Sequence, residues 1–441
     1  MASIYFISLG CDKNRIDAEI MARSLQERGH RVTGDIAEAD CAVVNTCGFI
    51  ESAKQEAIDA IFDMVRAKEA GQVRAVVVTG CLAQRYREEL CALIPEADAV
   101  VGLAKNADIA DVVEQTLAGA HIASFGAPEE LVIEGARSIS TPPHFAYLKI
   151  AEGCSNHCTY CAIPRIRGKY RSRPMERILD EARALAREGV RELIVIAQDT
   201  TSYGLDLAQG GSLAELLREL AKIEELWKIR VLYAYPDRID DALIEVMAAE
   251  PKIAKYLDVP MQHASREVLR RMARFGDSET LLALIEKLRA AMPDITLRST
   301  FIVGFPGETE AQFLELCDFL KKAKLDRAGC FPFSCEEGTA AEKLTPQLDE
   351  ETKQRRAGQF ALVQTEVLAH KRAALVGAAL EVICDGFDIE RELFACRGEA
   401  DAPEIDTVVW LPPEADLMPG EIYRVRVTGC DAFDLFAELA D

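Results

Sequence analysis

The sequence has no apolar run that approaches the ~18 residues needed to cross a membrane. It also lacks a signal-peptide pattern at its start, because residues 4–7, Ile-Tyr-Phe-Ile, read at once as a β-strand. Low-complexity segments are missing as well. We therefore expect a cytoplasmic protein with no membrane partner, in a compartment that keeps cysteine thiols reduced.

Basic side chains are fewer than acidic side chains. The sequence has 51 lysines and arginines against 73 aspartates and glutamates, which gives a formal net charge of −22. A surface with this charge repels nucleic-acid backbones and attracts basic partners. The same charge can also serve solubility alone, so net charge by itself leaves both interpretations open.

The length of 441 residues predicts two or three domains in an α/β protein. In residues 1–139, strands are predicted at 4–8, 42–45 and 76–79, with a helix around 57–64. This βαβ pattern favours a parallel sheet with helices on its faces. The first segment is therefore predicted to be an N-terminal parallel-sheet α/β domain.

Two further domains are predicted after it. Residues 140–372 repeat a strand–helix unit, with candidate strands at 146–150, 193–197, 230–233, 256–259, 296–303 and 328–333. A full eight-unit barrel typically needs ~250 residues, so this segment predicts a central partial, open (β/α)6 barrel. Residues 373–441 carry short apolar strands between glycines and prolines, which is typical of a small antiparallel β-barrel.

Fourteen cysteines is a high number for a cytosolic protein, and three of them lie close together in one predicted loop. Cys154, Cys158 and Cys161 follow a predicted strand with C-x3-C-x2-C spacing. A 4Fe-4S cluster normally takes four thiolates, so three leave one iron open. An open iron can chelate the methionine part of S-adenosylmethionine, and electron transfer can then cleave that cofactor. The alternative is a zinc site with His157 as fourth ligand, but zinc ligands usually come as two separated pairs.

A second triad is spread along the first domain. Cys11, Cys47 and Cys81 each follow a predicted strand and each has a glycine beside it. Parallel sheets place ligand-binding groups at the carboxyl ends of their strands, so these thiols are expected to converge and could hold a second cluster. Three unrelated loop cysteines are the alternative. The other eight cysteines have no ligand spacing and are predicted to be packing or surface residues.

Polar groups also follow the central strands. Gln198 and Asp199 are candidates for hydrogen bonds to the amino group or ribose of S-adenosylmethionine, or for a helix-capping loop. Tyr160 could stack on the adenine or simply pack. Gln262 and His263 either face the cavity or cap the next helix. A basic run after the cysteine loop could contact an anionic group or be a solvated loop: Arg165, Arg167, Lys169, Arg171, Arg173 and Arg177.

Taken together, these motifs resemble the radical S-adenosylmethionine methylthiotransferases, over essentially the whole chain in three consecutive segments. The C-x3-C-x2-C loop alone marks only a wide superfamily. Cys11, Cys47 and Cys81 in a preceding α/β domain, and a C-terminal barrel similar to a TRAM domain, narrow the resemblance. In that family the first three cysteines hold an auxiliary cluster, so the resemblance implies two 4Fe-4S clusters and S-adenosylmethionine as cofactors.

The resemblance is to the branch that modifies an aspartate of small-subunit ribosomal protein twelve. It rests on residues 8–14, Ser-Leu-Gly-Cys-Asp-Lys-Asn, and 197–200, Ala-Gln-Asp-Thr, although Asp12 stands where a proline is expected. It implies that one S-adenosylmethionine methylates a sulfur held at the auxiliary cluster. A second is cleaved by way of a reduced electron donor, and the radical takes hydrogen from the aspartate β-carbon, which then receives the methylthio group.

Charge offers a test of the acceptor. Residues 374–441 contain 16 acidic and 4 basic side chains, a net charge of −12. A barrel that gripped tRNA would be expected to be basic, whereas an acidic TRAM-like barrel suits a basic ribosomal protein. The runner-up function is a tRNA adenosine methylthiotransferase. A zinc-stabilised nucleic-acid-binding module without catalysis is the alternative from another class.

Overall fold

The structure, a computed structural model, describes residues 1–440. The chain forms two compact units, and each is assembled from separate stretches of sequence. The first unit comprises Met1–Ser140, Lys149–Arg173 and Ser334–Glu342. The second comprises Thr141–Leu148, Pro174–Phe333 and the chain from Lys343 onward. Among the described residues, no helix is both long enough and apolar enough to span a bilayer.

The first unit contains a six-stranded sheet whose paired strands run parallel. Its strands are β1 (Ser3–Ser8), β2 (Arg31–Thr33), β3 (Cys41–Thr46), β4 (Ala75–Gly80), β5 (Ala99–Val101) and β6 (Ile122–Ser124). Its helices are α1 (Asp12–Glu27), α2 (Glu51–Glu69), α3 (Cys81–Leu93) and α4 (Ile109–Leu117). The strand order is β2-β1-β3-β4-β5-β6. Strands β3 and β4 are buried along their whole length. Because both faces of these strands are covered, their sequences are nearly continuous runs of apolar residues.

The predicted parallel α/β sheet is confirmed. Strands β1, β3 and β4 match the three predicted strands, and the predicted helix lies within α2. The sequence did not indicate β2, β5 and β6, because a strand of three residues is too short to establish an alternating pattern.

Residues 145–373 form eight strands and eight helices, mostly in alternation. The strands are β7 (Phe145–Lys149), β8 (Ala151–Glu152), β9 (Arg171–Ser172), β10 (Glu192–Ile196), β11 (Lys228–Val231), β12 (Ile253–Asp258), β13 (Thr296–Val303) and β14 (Arg327–Pro332). The helices are α5 (Ile163–Arg167), α6 (Met175–Arg187), α7 (Leu213–Ala221), α8 (Asp241–Ala249), α9 (Arg266–Arg271), α10 (Ser278–Ala291), α11 (Glu310–Ala323) and α12 (Glu350–Ala373). The short antiparallel pair β8–β9 and helix α5 belong to the first unit.

The second unit holds a six-stranded sheet in the order β14-β13-β12-β11-β10-β7, which is chain order without a crossover reversal. Strand pairs from β10 to β14 are parallel. The outer strands β7 and β14 do not pair, so the sheet stays open. This is the partial (β/α)6 barrel that the repeat pattern predicted. Helix α11 begins with a capping box between Thr309 and Gln312, the local signal that the sequence carries.

The predicted C-terminal barrel is also confirmed. A closed barrel has the order β15-β16-β17-β19-β18, built from β15 (Ala379–Asp388), β16 (Leu393–Gly398), β17 (Val409–Leu411), β18 (Ile422–Cys430) and β19 (Leu435–Leu439). Its interior is apolar and includes Cys384 and Cys396, which face each other across β15 and β16. The domain boundaries at 139/140 and 372/373 stay predictions.

A connecting segment, residues 397–406, leaves β16 and contacts side chains from all six strands of the open sheet. We call it the connector. Its partners, in strand order, are Tyr147, Glu192, Arg230, Tyr256, Arg298 and Arg327. Each strand therefore contributes at least one polar group. The connector supplies the Arg397 guanidinium, backbone carbonyls and the carboxylates Asp401, Glu404 and Asp406.

Candidate active site

Three cysteines emerge from neighbouring strands at one edge of the first unit's sheet. Strands β1, β3 and β4 are adjacent, and their carboxyl ends lie in register. Cys47 directly follows β3, Cys81 directly follows β4 and opens α3, and Cys11 precedes α1. The convergence that the sequence predicted follows from this parallel arrangement. Cys11 is exposed, Cys47 is half-buried and Cys81 is buried.

Glycines let these three turns approach one another closely. A Cβ atom at Gly10, where φ is +92°, would lie 2.8 Å from Cys47 Cβ and 3.0 Å from Cys47 Sγ. A Cβ atom at Gly48 would lie 2.7–3.0 Å from the backbone of Leu82 and Cys81. Neither position has room for a side chain, so glycine is required for the cysteines to come together.

Asparagine and threonine side chains hold these turns in place, and the sequence analysis did not identify them. Asn14 Nδ2 donates to the Leu9 carbonyl at 2.6 Å, and Asn45 Nδ2 donates to the Asn14 carbonyl at 2.7 Å. Thr46 Oγ1 donates to the Thr79 carbonyl at 2.5 Å. These bonds tie α1 to β3 and β3 to β4. The only available signal was that buried asparagine and threonine end otherwise apolar strands.

Burial raises the pKa of two thiols of this triad, Cys81 and Cys47. Burial raises the pKa of Cys81 to about 12, and the positive charge of Arg167 opposes this shift. Burial also raises the pKa of Cys47, and a hydrogen bond from the Phe49 backbone opposes it. Negative charge on Cys11 or Cys47 would raise the pKa of Cys81 further. A cation bound by these sulfurs would stabilise the thiolates that burial otherwise disfavours.

The second cysteine triad lies in the loop after β8. Cys154 is buried, and Cys158 and Cys161 are half-buried. The Cys154 amide donates to the Gly168 carbonyl at 3.1 Å, and the Cys161 amide donates to the Cys158 carbonyl at 3.1 Å. At Gly153, where φ is +77°, a Cβ atom would lie 2.3 Å from the Lys169 carbonyl oxygen. The loop is therefore closed on itself by backbone bonds and by the β8–β9 pair.

Arg167 joins the two triads within the first unit. It ends α5, the short helix after Cys161, and its Nη2 donates to Cys81 Sγ at 3.4 Å. Helix α5 packs there as well, because Ala162 and Ile166 share an apolar cluster with Cys81. The loop that carries one triad is thus fixed against a member of the other.

Each triad fits an iron–sulfur cluster. Each offers three thiols and would leave one iron of a 4Fe-4S cubane without a protein ligand. Among residues 1–440, no three histidine, cysteine, aspartate or glutamate side chains converge on one metal ion. Cubane ligands do not need to converge in this way, because each thiolate binds a different iron.

The short segment Ser334–Glu342 also belongs to the first unit. Its Glu336 accepts a hydrogen bond from Arg85 Nη1 at 2.7 Å, and the same nitrogen donates to the carbonyl of Gly48, beside Cys47. The Ala341 amide donates to the carbonyl of Thr159 at 2.8 Å, inside the other cysteine loop. This segment, which the sequence did not single out, therefore contacts both cysteine-bearing regions.

The basic run after the cysteine loop is divided among several roles. Arg171 donates to the carbonyls of Pro128, Glu129 and Leu131, and Arg173 donates to the Lys149 carbonyl at 2.7 Å. Arg165, Lys169 and Arg177 are exposed. Neither initial interpretation describes the whole run, because part of it fastens neighbouring segments and Arg167 is buried. His157 is exposed and Tyr160 is half-buried.

Gln198 and Asp199 lie in the second unit, directly after β10. Asp199 is buried, and its carboxylate accepts hydrogen bonds from Thr201 Oγ1 at 2.6 Å, Ser202 Oγ at 2.8 Å and Arg238 Nη1 at 2.7 Å. These bonds fix the orientation of the Asp199 carboxylate. Gln198 is half-buried.

Gln262 and His263 also follow a strand of the second unit's sheet. Gln262 adopts φ +71° and extends the pairing by bridging to Phe301. His263 is fully buried; its Nδ1 accepts from the Ser265 amide at 2.9 Å, and its Nε2 lies 3.6 Å from Glu308 Oε1. Glu308 in turn accepts from the Phe305 amide at 3.0 Å. These side chains organise the turn after β13.

Comparison with family models identifies three regions of the chain. Residues 3–102 match the model described as Uncharacterized protein family UPF0004, residues 148–320 match the Radical SAM superfamily, and residues 376–440 match the TRAM domain. The matches are consecutive, as the resemblance at the level of motifs implied.

Curated relatives match nearly the whole chain. One, from Desulforudis audaxviator, is 48% identical over 99% of this chain and 96% of its own length. Another, from Symbiobacterium thermophilum, is 48% identical over 99% of this chain and 90% of its own length. Both are named ribosomal protein uS12 methylthiotransferase RimO.

Among solved structures, the radical S-adenosylmethionine methyltransferase TsrM from Kitasatospora setae matches with a TM-score of 0.55 at 14% identity. That match covers 75% of this chain and 73% of TsrM, and an identity this low shows the fold alone. The near full-length relatives and the radical SAM match together decide the family. The chain belongs to the RimO family of radical SAM methylthiotransferases.

Proposed function

We propose that this chain attaches a methylthio group to the β-carbon of an aspartate in small-subunit ribosomal protein twelve, uS12. One observation carries the proposal: a single compact unit contains two cysteine triads, and Arg167 joins them. A methylthio transfer needs one centre for radical formation and one for sulfur, which matches two triads. The relatives named as uS12 methylthiotransferases support the choice of acceptor.

In this proposal each triad holds one 4Fe-4S cluster. Cys154, Cys158 and Cys161 are the ligands of the cluster that binds S-adenosylmethionine, and the other triad, Cys11, Cys47 and Cys81, holds the auxiliary cluster. When bound, the first cluster supplies an electron for cleavage of the cofactor and the second supplies a site for sulfur.

The chain's own residues bind and orient the cofactor. We assign Gln198 and Asp199 to hydrogen bonds with the amino group or ribose of S-adenosylmethionine, and Tyr160 to stacking on its adenine. Thr201, Ser202 and Arg238 hold the Asp199 carboxylate in one orientation.

The acceptor is proposed to bind through the acidic C-terminal barrel. Residues 374–441 carry a net charge of −12, which disfavours tRNA and attracts a basic ribosomal protein. We divide the roles accordingly: residues 1–139 hold the auxiliary cluster, 140–372 form the radical SAM core and 373–441 recognise the acceptor. The enzyme would work in the cytoplasm with a reduced electron donor.

The test is mass spectrometry of uS12 after anaerobic incubation with reconstituted enzyme, S-adenosylmethionine and a reductant. Wild type is expected to add a methylthio mass to one aspartate. Cys81→Ala is expected to cleave S-adenosylmethionine yet transfer no methylthio group. Cys91→Ala is the matched control, because Cys91 lies on the same helix, α3, outside the triad.

Three outcomes would overturn the proposal. If wild type added a methylthio mass to tRNA and left uS12 unmodified, the acceptor would be a tRNA adenosine. If Cys81→Ala transferred the group as well as Cys91→Ala did, the first triad would have no part in sulfur transfer. A colourless protein after anaerobic preparation would point instead to the zinc-stabilised module.

A further inference from the structure

Arg167 is a fully buried arginine whose guanidinium reaches four side chains. Its Nη2 lies 3.4 Å from Cys81 Sγ, 3.4 Å from Asn14 Oδ1 and 2.9 Å from Asp17 Oδ2. Its Nη1 donates to Glu152 Oε1 at 3.0 Å. The planar fork of an arginine can serve several acceptors at once, and a lysine cannot reproduce this arrangement.

The charges around Arg167 form a closed, buried network. Lys149 Nζ lies 2.7 Å from Asp17 Oδ1 and 2.8 Å from Glu152 Oε2, so both carboxylates contact both cations. The four side chains are at most 1% exposed. Two acids and two bases cancel in formal charge. Among the described residues 1–440, Cys81 is the one further group in hydrogen-bond contact with Arg167 that could carry a negative charge.

Residues of the same network lie on both sides of the cysteine loop in the sequence. Lys149 and Glu152 precede Cys154, and Arg167 follows Cys161. Asp17 lies on α1, the helix that follows Cys11. Removing one member of a buried network of this kind leaves its partner as an uncompensated buried charge, so the loop and the first triad are held in one fixed relationship.

We propose that Arg167 is a positioning residue that donates a hydrogen bond to the ligand sulfur of Cys81 and thereby raises the reduction potential of the auxiliary cluster. This inference rests on the proposed function, because it requires a cluster on Cys11, Cys47 and Cys81. One-electron reduction adds a negative charge and breaks no bond. A donor aimed at a ligand sulfur stabilises the more negative state, and hydrogen bonds to sulfur are among the factors that set cluster potentials.

The test isolates the auxiliary cluster by replacing Cys154, Cys158 and Cys161 together with alanine. In this parent, the midpoint potential is measured by a dithionite titration followed by electron paramagnetic resonance, with iron counted per chain. Arg167→Gln is expected to shift the potential downward, and Arg167→Lys is expected to shift it less. Arg171→Gln is the control, because Arg171 bonds backbone carbonyls of residues 128–131 outside the network.

A second variant guards against a folding defect. Asp17→Asn removes a negative charge next to Arg167 and leaves Cys81 untouched, so it is expected to shift the potential upward. Shifts of opposite sign would not arise from general unfolding. Unchanged potentials in both Arg167→Gln and Asp17→Asn, with full iron content, would overturn the inference alone. A parent that binds no four-iron cluster would instead overturn the proposed function.

Discussion

Arg397 Nη1 donates to Glu192 Oε2 at 2.6 Å, across 205 residues of sequence. Glu192 opens β10 of the open sheet and Arg397 lies near the end of β16 in the barrel. Arg230 Nε donates to the other Glu192 oxygen at 2.9 Å, so one buried carboxylate serves two guanidinium groups. The barrel and the sheet of the second unit are therefore joined by charge pairing.

Glu192→Gln is expected to destabilise the second unit by about 3–5 kcal/mol, because it removes the carboxylate from buried Arg230 and leaves Arg397 with Asp385 alone. The measurement is urea unfolding followed by Trp410 fluorescence, in a Trp227→Phe background that removes the other tryptophan. Glu381→Gln, at an exposed position of β15, is the charge-matched control. Equal stability of the two variants would show that the Glu192 pair contributes nothing.

The same pair predicts a loss of stability in acid. Burial alone would raise the pKa of Glu192, but Arg397 and Arg230 lower it below its usual value. Burial would likewise raise the pKa of Asp385, but His144 and Arg397 lower it. A carboxyl group with a lowered folded pKa stabilises the fold above its unfolded pKa, about 4, and loses that contribution as the pH falls further.

Wild type is therefore expected to lose stability faster than Glu192→Gln between about pH 5 and pH 2. Unfolding free energies at a series of pH values, read from Trp410, would measure the difference. The stability gap between the two proteins should narrow as the pH falls. A gap that stays constant with pH would contradict the lowered pKa of Glu192.

Gly10→Ala is expected to remove the auxiliary cluster. The new Cβ atom would overlap Cys47, and φ at this position is +92°. Gly29→Ala imposes a similar backbone cost, because φ is +83°, but its Cβ atom would meet nothing within 4 Å. Iron analysis after anaerobic reconstitution should fall from about eight atoms per chain to about four in Gly10→Ala and stay near eight in Gly29→Ala. Full iron in Gly10→Ala would mean that the turn can yield without loss of the site.

The sequence was sufficient to predict those site residues whose place follows from the neighbouring secondary structure. Cys11, Cys47 and Cys81 could be grouped because each follows a strand, and parallel strands end at one edge. Arg167 could not be assigned, because its partners Asp17 and Cys81 are distant in sequence and a basic run gives no indication of which member is buried. The contacts of the connector could not be predicted either, because its acidic residues were interpreted as part of an acidic surface.

Several acidic residues of the barrel and the connector form ion pairs inside the second unit. Asp385, Asp401 and Asp406 pair with cations of the second unit itself, so they are not available to a partner. Exposed acids remain at the turn between β15 and β16, where Glu390 and Glu392 lie. The interaction proposed with a basic ribosomal protein therefore depends on fewer charges than the net charge suggests.

Replacing Glu390 and Glu392 together by glutamine is expected to weaken uS12 binding several-fold at low salt, mainly through slower association, because exposed charges act on the rate of encounter. The measurement is binding kinetics over a range of salt. The difference from wild type should vanish near 1 M salt, where the screening length falls to about 3 Å. Glu286→Gln combined with Glu279→Gln, on α10, changes the net charge equally and should leave binding unchanged. If this control weakened binding as much as the barrel variant did, net charge rather than the barrel turn would recruit the acceptor.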